Sequence, residues 1–177
     1  MFGDPVRNEK CWPIVTLNEV AEIRIGPFGS LLHKEDYIKG GHALINPSHI
    51  IDGKIYIDAN LTLSPEKYKE LKAYHLEIGD VVLGRRGEMG RCAVVCSSGL
   101  LCGTGSIIIR PNKNMAAYFL QTILSSLTYK KIIADKAVGV TMKNLNVPIV
   151  SSLPVPLLPL NLQKKFIAIL QQVDKSK

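Results

Sequence analysis

The chain has 177 residues, 46% of them apolar and 21% charged, with a formal net charge of +7 at neutral pH. That length and balance fit one folded domain with a short appendage, able to bury a full core without disulfide staples. The surplus of positive charge points to a polyanion, nucleic acid first, against the plainer reading of a merely basic soluble protein. No apolar run approaches the ~20 residues that a membrane-spanning helix requires.

Residues 1–10 read as a polar leader without the apolar centre of a signal peptide. A cytoplasmic protein with reduced thiols is therefore expected. Trp12 to Leu17 predicts a short strand or anchor, and Asn18 to Ile23 a single helical turn capped by Asn18. Gly26-Pro27-Phe28-Gly29-Ser30 is a turn. His42 to Asn46 predicts a strand stopped by Pro47, and Asp52-Gly53 between apolar pieces predicts a hairpin over 50–57. Ser64 as cap and Pro65 at the first position predict a helix to about Ala73.

The central stretch is β-rich, with strands at Val81–Leu83, Cys92–Cys96 and Gly105–Arg110. The sequence Gly79-Asp-Val-Val-Leu-Gly-Arg-Arg-Gly-Glu-Met-Gly-Arg91 sets three arginines among glycines directly after a strand. Such a frame suits a surface that must fit closely against an anion. The four cysteines, Cys11, Cys92, Cys96 and Cys102, lack the spacing of a zinc ribbon or finger and read as small hydrophobes.

Beyond Pro111 the pattern turns helical. Asn114 predicts the cap of one helix from Met115 to about Lys136, ended by Gly139, with a short turn at 141–145. Residues 151–159 carry three prolines and cannot form a regular helix. A last helix is predicted over 161–173. Leu162, Phe166, Ile169 and Val173 lie four, three and four apart, as in a heptad seam. At ~13 residues, about 20 Å long, this helix needs a partner for its stripe. Its own domain and another chain are both open, and the prolines before it favour pairing away from the β-rich body.

In order, the quoted landmarks are Trp12, Leu17 and Val20; Gly26-Pro-Phe-Gly-Ser30; Ile45-Asn-Pro-Ser48; and Gly53-Lys-Ile55. Then come Leu76-x-x-Gly-Asp-Val-Val82, Arg86-Gly-x-x-Gly-Arg91, Gly103-Thr-Gly105, Leu153-Pro-Val-Pro156 and Leu160-x-x-Gln163. Over about residues 12–173 this series resembles the target recognition domain of a type I restriction-modification specificity subunit and the start of its helical spacer. The resemblance implies an α+β fold: a β-rich DNA target recognition domain with flanking helices over 1–158, then a truncated spacer helix of the antiparallel or dimeric coiled-coil type over 159–177.

It further implies a non-catalytic subunit that reads one half of a split double-stranded DNA site. Methyltransferase (modification) subunits would dock on it, and restriction subunits join them. S-adenosylmethionine would belong to the modification subunit, so no cofactor is expected in this chain. The family pattern has two recognition domains and two helices. One of each here implies either a half-subunit that forms a homodimer through Leu162, Phe166, Ile169 and Val173, or a fragment of a longer subunit.

Arginine can bond guanine O6 and N7 at once, so Arg85, Arg86 and Arg91 are candidate DNA-binding residues. One of the three is expected to pair internally with Glu88 or Asp80, and Arg91, which leads into a strand, is the first choice. Phe28 is a candidate wedge or a loop anchor. Ser30, His33 and Lys34, with Thr104 and Ser106, are candidate phosphate ligands. Asn46 and Ser48 follow a strand end, where an asparagine can read adenine or cap the turn. Lys130, Lys131, Lys136 and Lys143 are a phosphate-contacting set or a solvated face. The competing readings are a metal-dependent or hydrolytic enzyme using the Cys/His set, and a protein-interaction scaffold. No catalytic or metal-binding residue is assigned, because His33, His42, His49 and His75 are scattered and no nucleophile motif accompanies them.

Overall fold

Apolar residues that follow one another without alternation predict strands buried on both faces. The three central strands behave in this way. A computed structural model describes residues 7–139 and 143–175, with side chains up to residue 172. Residues 1–6, positions 141 and 142 of the expected turn, and the Val173 side chain lie outside the described residues.

The first half of the chain forms β1 (Ile14–Thr16), α1 (Leu17–Val20), β2 (Ala21–Ile25), β3 (Tyr37–Ile38), β4 (His42–Ile45), β5 (Ile50–Ile51), β6 (Lys54–Ile55), β7 (Thr62–Leu63) and α2 (Pro65–Glu70). The second half forms β8 (Val81–Gly84), β9 (Cys92–Val94), β10 (Leu101–Cys102), β11 (Ser106–Pro111), α3 (Ala117–Ser125), α4 (Leu127–Lys136), α5 (Val147–Ser151), β12 (Pro154–Pro156) and α6 (Leu160–Lys175). The α+β expectation holds.

A first, antiparallel sheet has the order β2-β11-β8-β9, and a second has the order β10-β4-β7-β3 with β10 parallel to β4. The apolar runs sit between layers. Val81, Leu83, Cys92, Val94, Ile107 and Ile109 point into a core shared with Phe119, Leu120, Ile123, Leu124, Tyr129 and Ile133 of the helices. Their neighbours Val82, Ala93, Val95 and Ile108 point the other way, onto Ala43, Ile45, Ile50 and Cys102 of the second sheet and its flanking hairpin. The outer face of the second sheet, Leu44, Leu63 and Leu101, is closed by Leu71 with Leu31, Leu32, Tyr37, Tyr68 and Tyr74. A charge brought into these runs would therefore enter one core or the other, according to the position substituted.

Local signals are honoured where their side chains have no competing use. Asp52 and Gly53 take φ of 48° and 72°, as a type I′ hairpin demands. Ser64 accepts from the Lys67 amide at 3.2 Å and starts α2. The α-helix ends at Glu70, and a 3₁₀ turn, Lys72–Tyr74, continues it.

Two readings are corrected. The cap of α1 is Thr16, whose amide donates to the Glu19 carboxylate at 2.6 Å, so Asn18 already lies inside the turn. The long helix over 115–136 is two helices. Ser126, at ψ 147°, leaves the helical conformation and its hydroxyl accepts from the Tyr129 amide, ending α3 and capping α4 in one residue. The break turns Tyr129 inward, where its hydroxyl donates to the Pro154 carbonyl at 2.6 Å. The proline-rich stretch forms no helix over 152–159, as expected: α5 ends at Ser151, and β12 then pairs antiparallel with β1 in a two-stranded ribbon, an edge position that proline tolerates.

The third correction concerns α6. Leu162, Phe166 and Ile167 pack on the main core of their own chain, and the Phe166 ring meets Phe119 edge-on at 5.6 Å. Gln163 is fully buried. It accepts from the Ala116 amide at 2.8 Å and donates to the carbonyls of Asn114 at 2.8 Å and Leu158 at 2.7 Å. Residues on both sides of the expected 158/159 boundary thus share one core. Only the distal turns stay open, with Ile169 45% exposed.

Gln163 ties the start of α3 to the start of α6. Gln163→Ala is expected to destabilise the chain by about 2–4 kcal/mol in denaturant unfolding, because three backbone groups, one of them on the buried Leu158, lose this partner. Gln163→Glu keeps the acceptor but faces two carbonyls with oxygen, so it should not restore stability at neutral pH. A cost under ~0.5 kcal/mol for the alanine variant, the level of an ordinary surface change, would mean that α6 is held elsewhere.

Candidate nucleic-acid interface

Five strand ends leave the two sheets on one side. β2, β4, β8 and β10 finish there, and β11 begins there opposite the ends of β2 and β8. The loops that follow are sewn together by backbone bonds. The Gly26 amide donates to Ser106 O at 3.0 Å, Gly103 to Ile45 O at 2.8 Å, Arg85 to Gly105 O at 3.0 Å, and Leu145 to Arg85 O at 2.9 Å.

The seam is too tight for side chains. A Cβ on Gly26 would lie 2.0 Å from the Gly103 oxygen, and one on Gly103 would lie 2.1 Å from Asn46 Oδ1. Pro47 fills the space over Gly84 and Gly105, at 3.2 and 3.1 Å from where their Cβ atoms would stand. The spaced glycines of the arginine loop therefore serve internal fit more than close approach to a groove. Gly90 likewise backs onto the Leu124 carbonyl, and Gly87 alone of the three faces open space, at φ +77°.

On this frame the three arginines diverge. Arg91 pairs with Glu88 at 3.0 Å and also donates to Pro47 O at 3.4 Å. It is the internally paired arginine that the sequence leads one to expect. Lys130 binds the other oxygen of Glu88 at 2.5 Å, and the bonds from Lys130 first and Arg91 second hold that carboxyl below its usual range. Arg85 is half-buried and donates from Nε to Asn144 Oδ1 at 3.1 Å. Burial first, and the neighbouring Arg86 charge second, push its guanidinium below the usual range. Arg86 is exposed and its side chain makes no hydrogen bond or ion pair among the described residues.

Phe28 is 62% exposed, so it does not pin its loop to the core. Ser30 and Ser48 are exposed, and Thr104 is half-buried between the glycines of the seam. Asn46 packs its amide oxygen on Gly103 and begins the 3₁₀ turn Pro47–His49, its own amide donating to His49 Nδ1 at 3.2 Å. Ser106 is fully buried and donates to Ile45 O at 3.0 Å, which makes it a strut and not a phosphate ligand. Lys143 donates to the Ala134 carbonyl at 2.7 Å, near the end of α4. Lys34 is exposed in the 3₁₀ turn Lys34–Asp36, and none of the seam bonds reaches it. The residue that sequence reasoning missed is Asn144, which sits 59 positions from Arg85 and carries no local signal.

The cysteines and histidines do not gather. Among the described residues no three metal-ligating side chains stand together. Cys92 and Cys102 are buried, and burial holds the Cys92 thiol up at about 12, while Cys11 and Cys96 are exposed. His42 and His75 stack on the two faces of Tyr68 at 3.7 and 3.8 Å. Among the described residues no helix is long and apolar enough to cross a membrane.

The comparisons with known proteins follow this geometry. A family model described as the type I restriction modification DNA specificity domain matches residues 9–177. A protein described as the putative type I restriction enzyme MjaX specificity subunit of Methanocaldococcus jannaschii is 30% identical over 173 residues, covering 92% of this chain and 39% of that protein. A crystal structure of the HsdS subunit from Thermoanaerobacter tengcongensis superposes with a TM-score of 0.69 at 19% identity, over 93% of this chain and 38% of that one. The specificity subunit of M. genitalium gives 0.64 at 16% identity, over 93% and 39%. The chain thus spans 39% of the length of the curated relative it matches.

The seam makes glycine positions unequal. Gly26→Ala must displace a backbone carbonyl and is expected to cost about 2–3 kcal/mol, in the upper part of the range for overpacking. Gly87→Ala meets only the left-handed backbone strain of about 1–2 kcal/mol. Denaturant unfolding of both variants checks the order; equal costs would mean that the loops are not locked at Gly26.

Proposed function

The chain belongs to the family of type I restriction modification DNA specificity domains, and from that membership we propose that it reads one half of a split double-stranded DNA target. In this reading it does no chemistry of its own. It presents the seam loops to the DNA and docks methyltransferase subunits, which bring S-adenosylmethionine and which restriction subunits join, in the cytoplasm. The second half-site is read either by a twin chain in a homodimer or by a further segment of a longer subunit.

The observation that carries the reading is the state of Arg86. Its guanidinium is exposed and has no side-chain partner among the described residues, while the backbone beneath it is fixed by the Arg85 amide donating to Gly105 O and the Arg85 carbonyl accepting from the Leu145 amide. A guanidinium on a fixed backbone can read a guanine edge with only its side-chain torsions left to order. Phe28, Ser30, Ser48 and Thr104 stand on loops of the same seam and supply wedge and phosphate contacts. Arg91 and Asn46 support the frame. Lys34 is left as an outlying phosphate contact. For helix pairing, Ile169 is available, whereas Leu162 and Phe166 are spent on the chain's own core. No observation favours the metal-dependent or hydrolytic enzyme, nor a scaffold that binds only proteins.

Selection from a randomised duplex library by the chain assembled with its modification subunit tests this. Arg86→Ala should flatten preference at one base position, a loss of ~1–3 kcal/mol of discrimination, while affinity for scrambled duplex changes far less. Equal losses on selected and scrambled DNA would contradict base reading by Arg86.

A further inference from the structure

Three guanidinium groups in this chain find carboxylates. Arg24 lies 2.9 Å from Glu22, Arg91 3.0 Å from Glu88 and Arg110 2.8 Å from Asp80. Arg85 does not. Its bonding partner is the neutral amide of Asn144, it uses only Nε for that bond, and both Nη groups make no hydrogen bond among the described residues. Arg86, the next residue, carries a second charge with no ion pair among the described residues.

Asn144 is itself held firmly. It exchanges backbone bonds with Val138, Val138 N to Asn144 O at 3.1 Å and Asn144 N to Val138 O at 2.8 Å. It also forms a β-bridge with Arg86. Lys143 and Leu145 on either side are tied to Ala134 and to the Arg85 carbonyl. This short segment, from the far side of α4, therefore grips the arginine loop in both backbone and side chain. An amide at 144 fixes the plane of the guanidinium without cancelling its charge, which a carboxylate in the same place would do.

We propose that Arg85 anchors one DNA phosphate through its two Nη groups and that Asn144 is its positioning residue, which leaves Arg86 to the bases. The inference rests on the DNA-reading function above. It divides two adjacent arginines by role: the braced one sets the register of the protein on the backbone, and the free one reads sequence.

The test measures binding of the chain, assembled with its modification subunit, to selected and scrambled duplexes across a salt series. Each phosphate contact contributes about −0.9 to the slope of log K against log salt. Arg85→Ala should lower affinity about tenfold on both duplexes, the low end for a charged hydrogen bond, and reduce the slope by about one. Asn144→Asp should do the same, because the new carboxylate claims the guanidinium for itself, and it should fold as stably as the native chain. That variant keeps the test informative if Arg85→Ala unfolds. Salt-dependent binding whose slope neither change moves would make Arg85 a mere strut and overturn the proposal. An Asn144→Asp chain that has lost its thermal transition would make Asn144 a folding residue and overturn it too. If the native assembly shows no salt-dependent binding at all, the DNA-reading function fails first and this inference with it.

Discussion

Everything at the loop end of this protein depends on backbone meeting backbone between Gly26 and Gly103, with Asn46 and Pro47 closing over the join. Two sheets stacked face to face are held by apolar side chains in their middles, but past the last ladder bond nothing in a sheet obliges its loops to stay together. The topology solves half of this. Because β10 runs parallel to β4, with Cys102 opposite Ile45, the loops at 46–48 and 103–105 leave on the same side. Because β11 is antiparallel to both β2 and β8, its beginning lies beside their ends. Contacts without side chains do the rest. They bring the loops within hydrogen-bond reach and convert mobile connections into a continuation of the scaffold.

The same sheet separates charge along its length. At one end the buried Asp80 takes two bonds from Arg110, at 2.8 Å each, and one from the Glu77 amide, while Glu77 itself pairs with Arg110. These bonds raise the Arg110 guanidinium further and lock β8 to β11 where Val81 faces Ile109. At the other end, where Gly84 faces Ser106, the next two residues are arginines that form no ion pair among the described residues. The local surplus of positive charge at the loop end thus follows from where the carboxylates stand. Glu88, the one acid in the arginine loop, is spent on Arg91 and Lys130.

The strands β8, β9 and β11 were legible because doubly buried strands write themselves as unbroken apolar runs, and the hairpin at Asp52-Gly53 because a left-handed pair has few sequence solutions; β2, expected as part of a helical turn, and the short β3, β7, β10 and β12 carry no such run. The arginine loop, and Arg91 as its paired member, were legible for a similar reason: charge, glycine and the following strand lie together in sequence. What could not be read are relations at a distance. Nothing near Asn144 announces Arg85, and nothing near Gly26 announces Gly103. Ser126 looked like an ordinary helix residue, because a serine cap competes with a continuing helix on nearly equal terms and the inward pull on Tyr129 decides it.

The last helix shows how periodicity can be right about the element and silent about its partner. Intervals of four, three and four fit a coiled-coil seam and equally a helix lying on a globular core. The discriminating residue is polar. Gln163 is buried between two apolar neighbours of the stripe and satisfies three backbone groups of its own chain. A seam facing another helix would offer those amide bonds no fixed partners. The first turns of α6 are therefore committed to the body that reads DNA in the proposed function. Any second helix must engage from Ile169 onward, so the orientation of a partner would be set by a helix rigidly keyed to the core through Phe119 and Phe166, and not by a swinging linker.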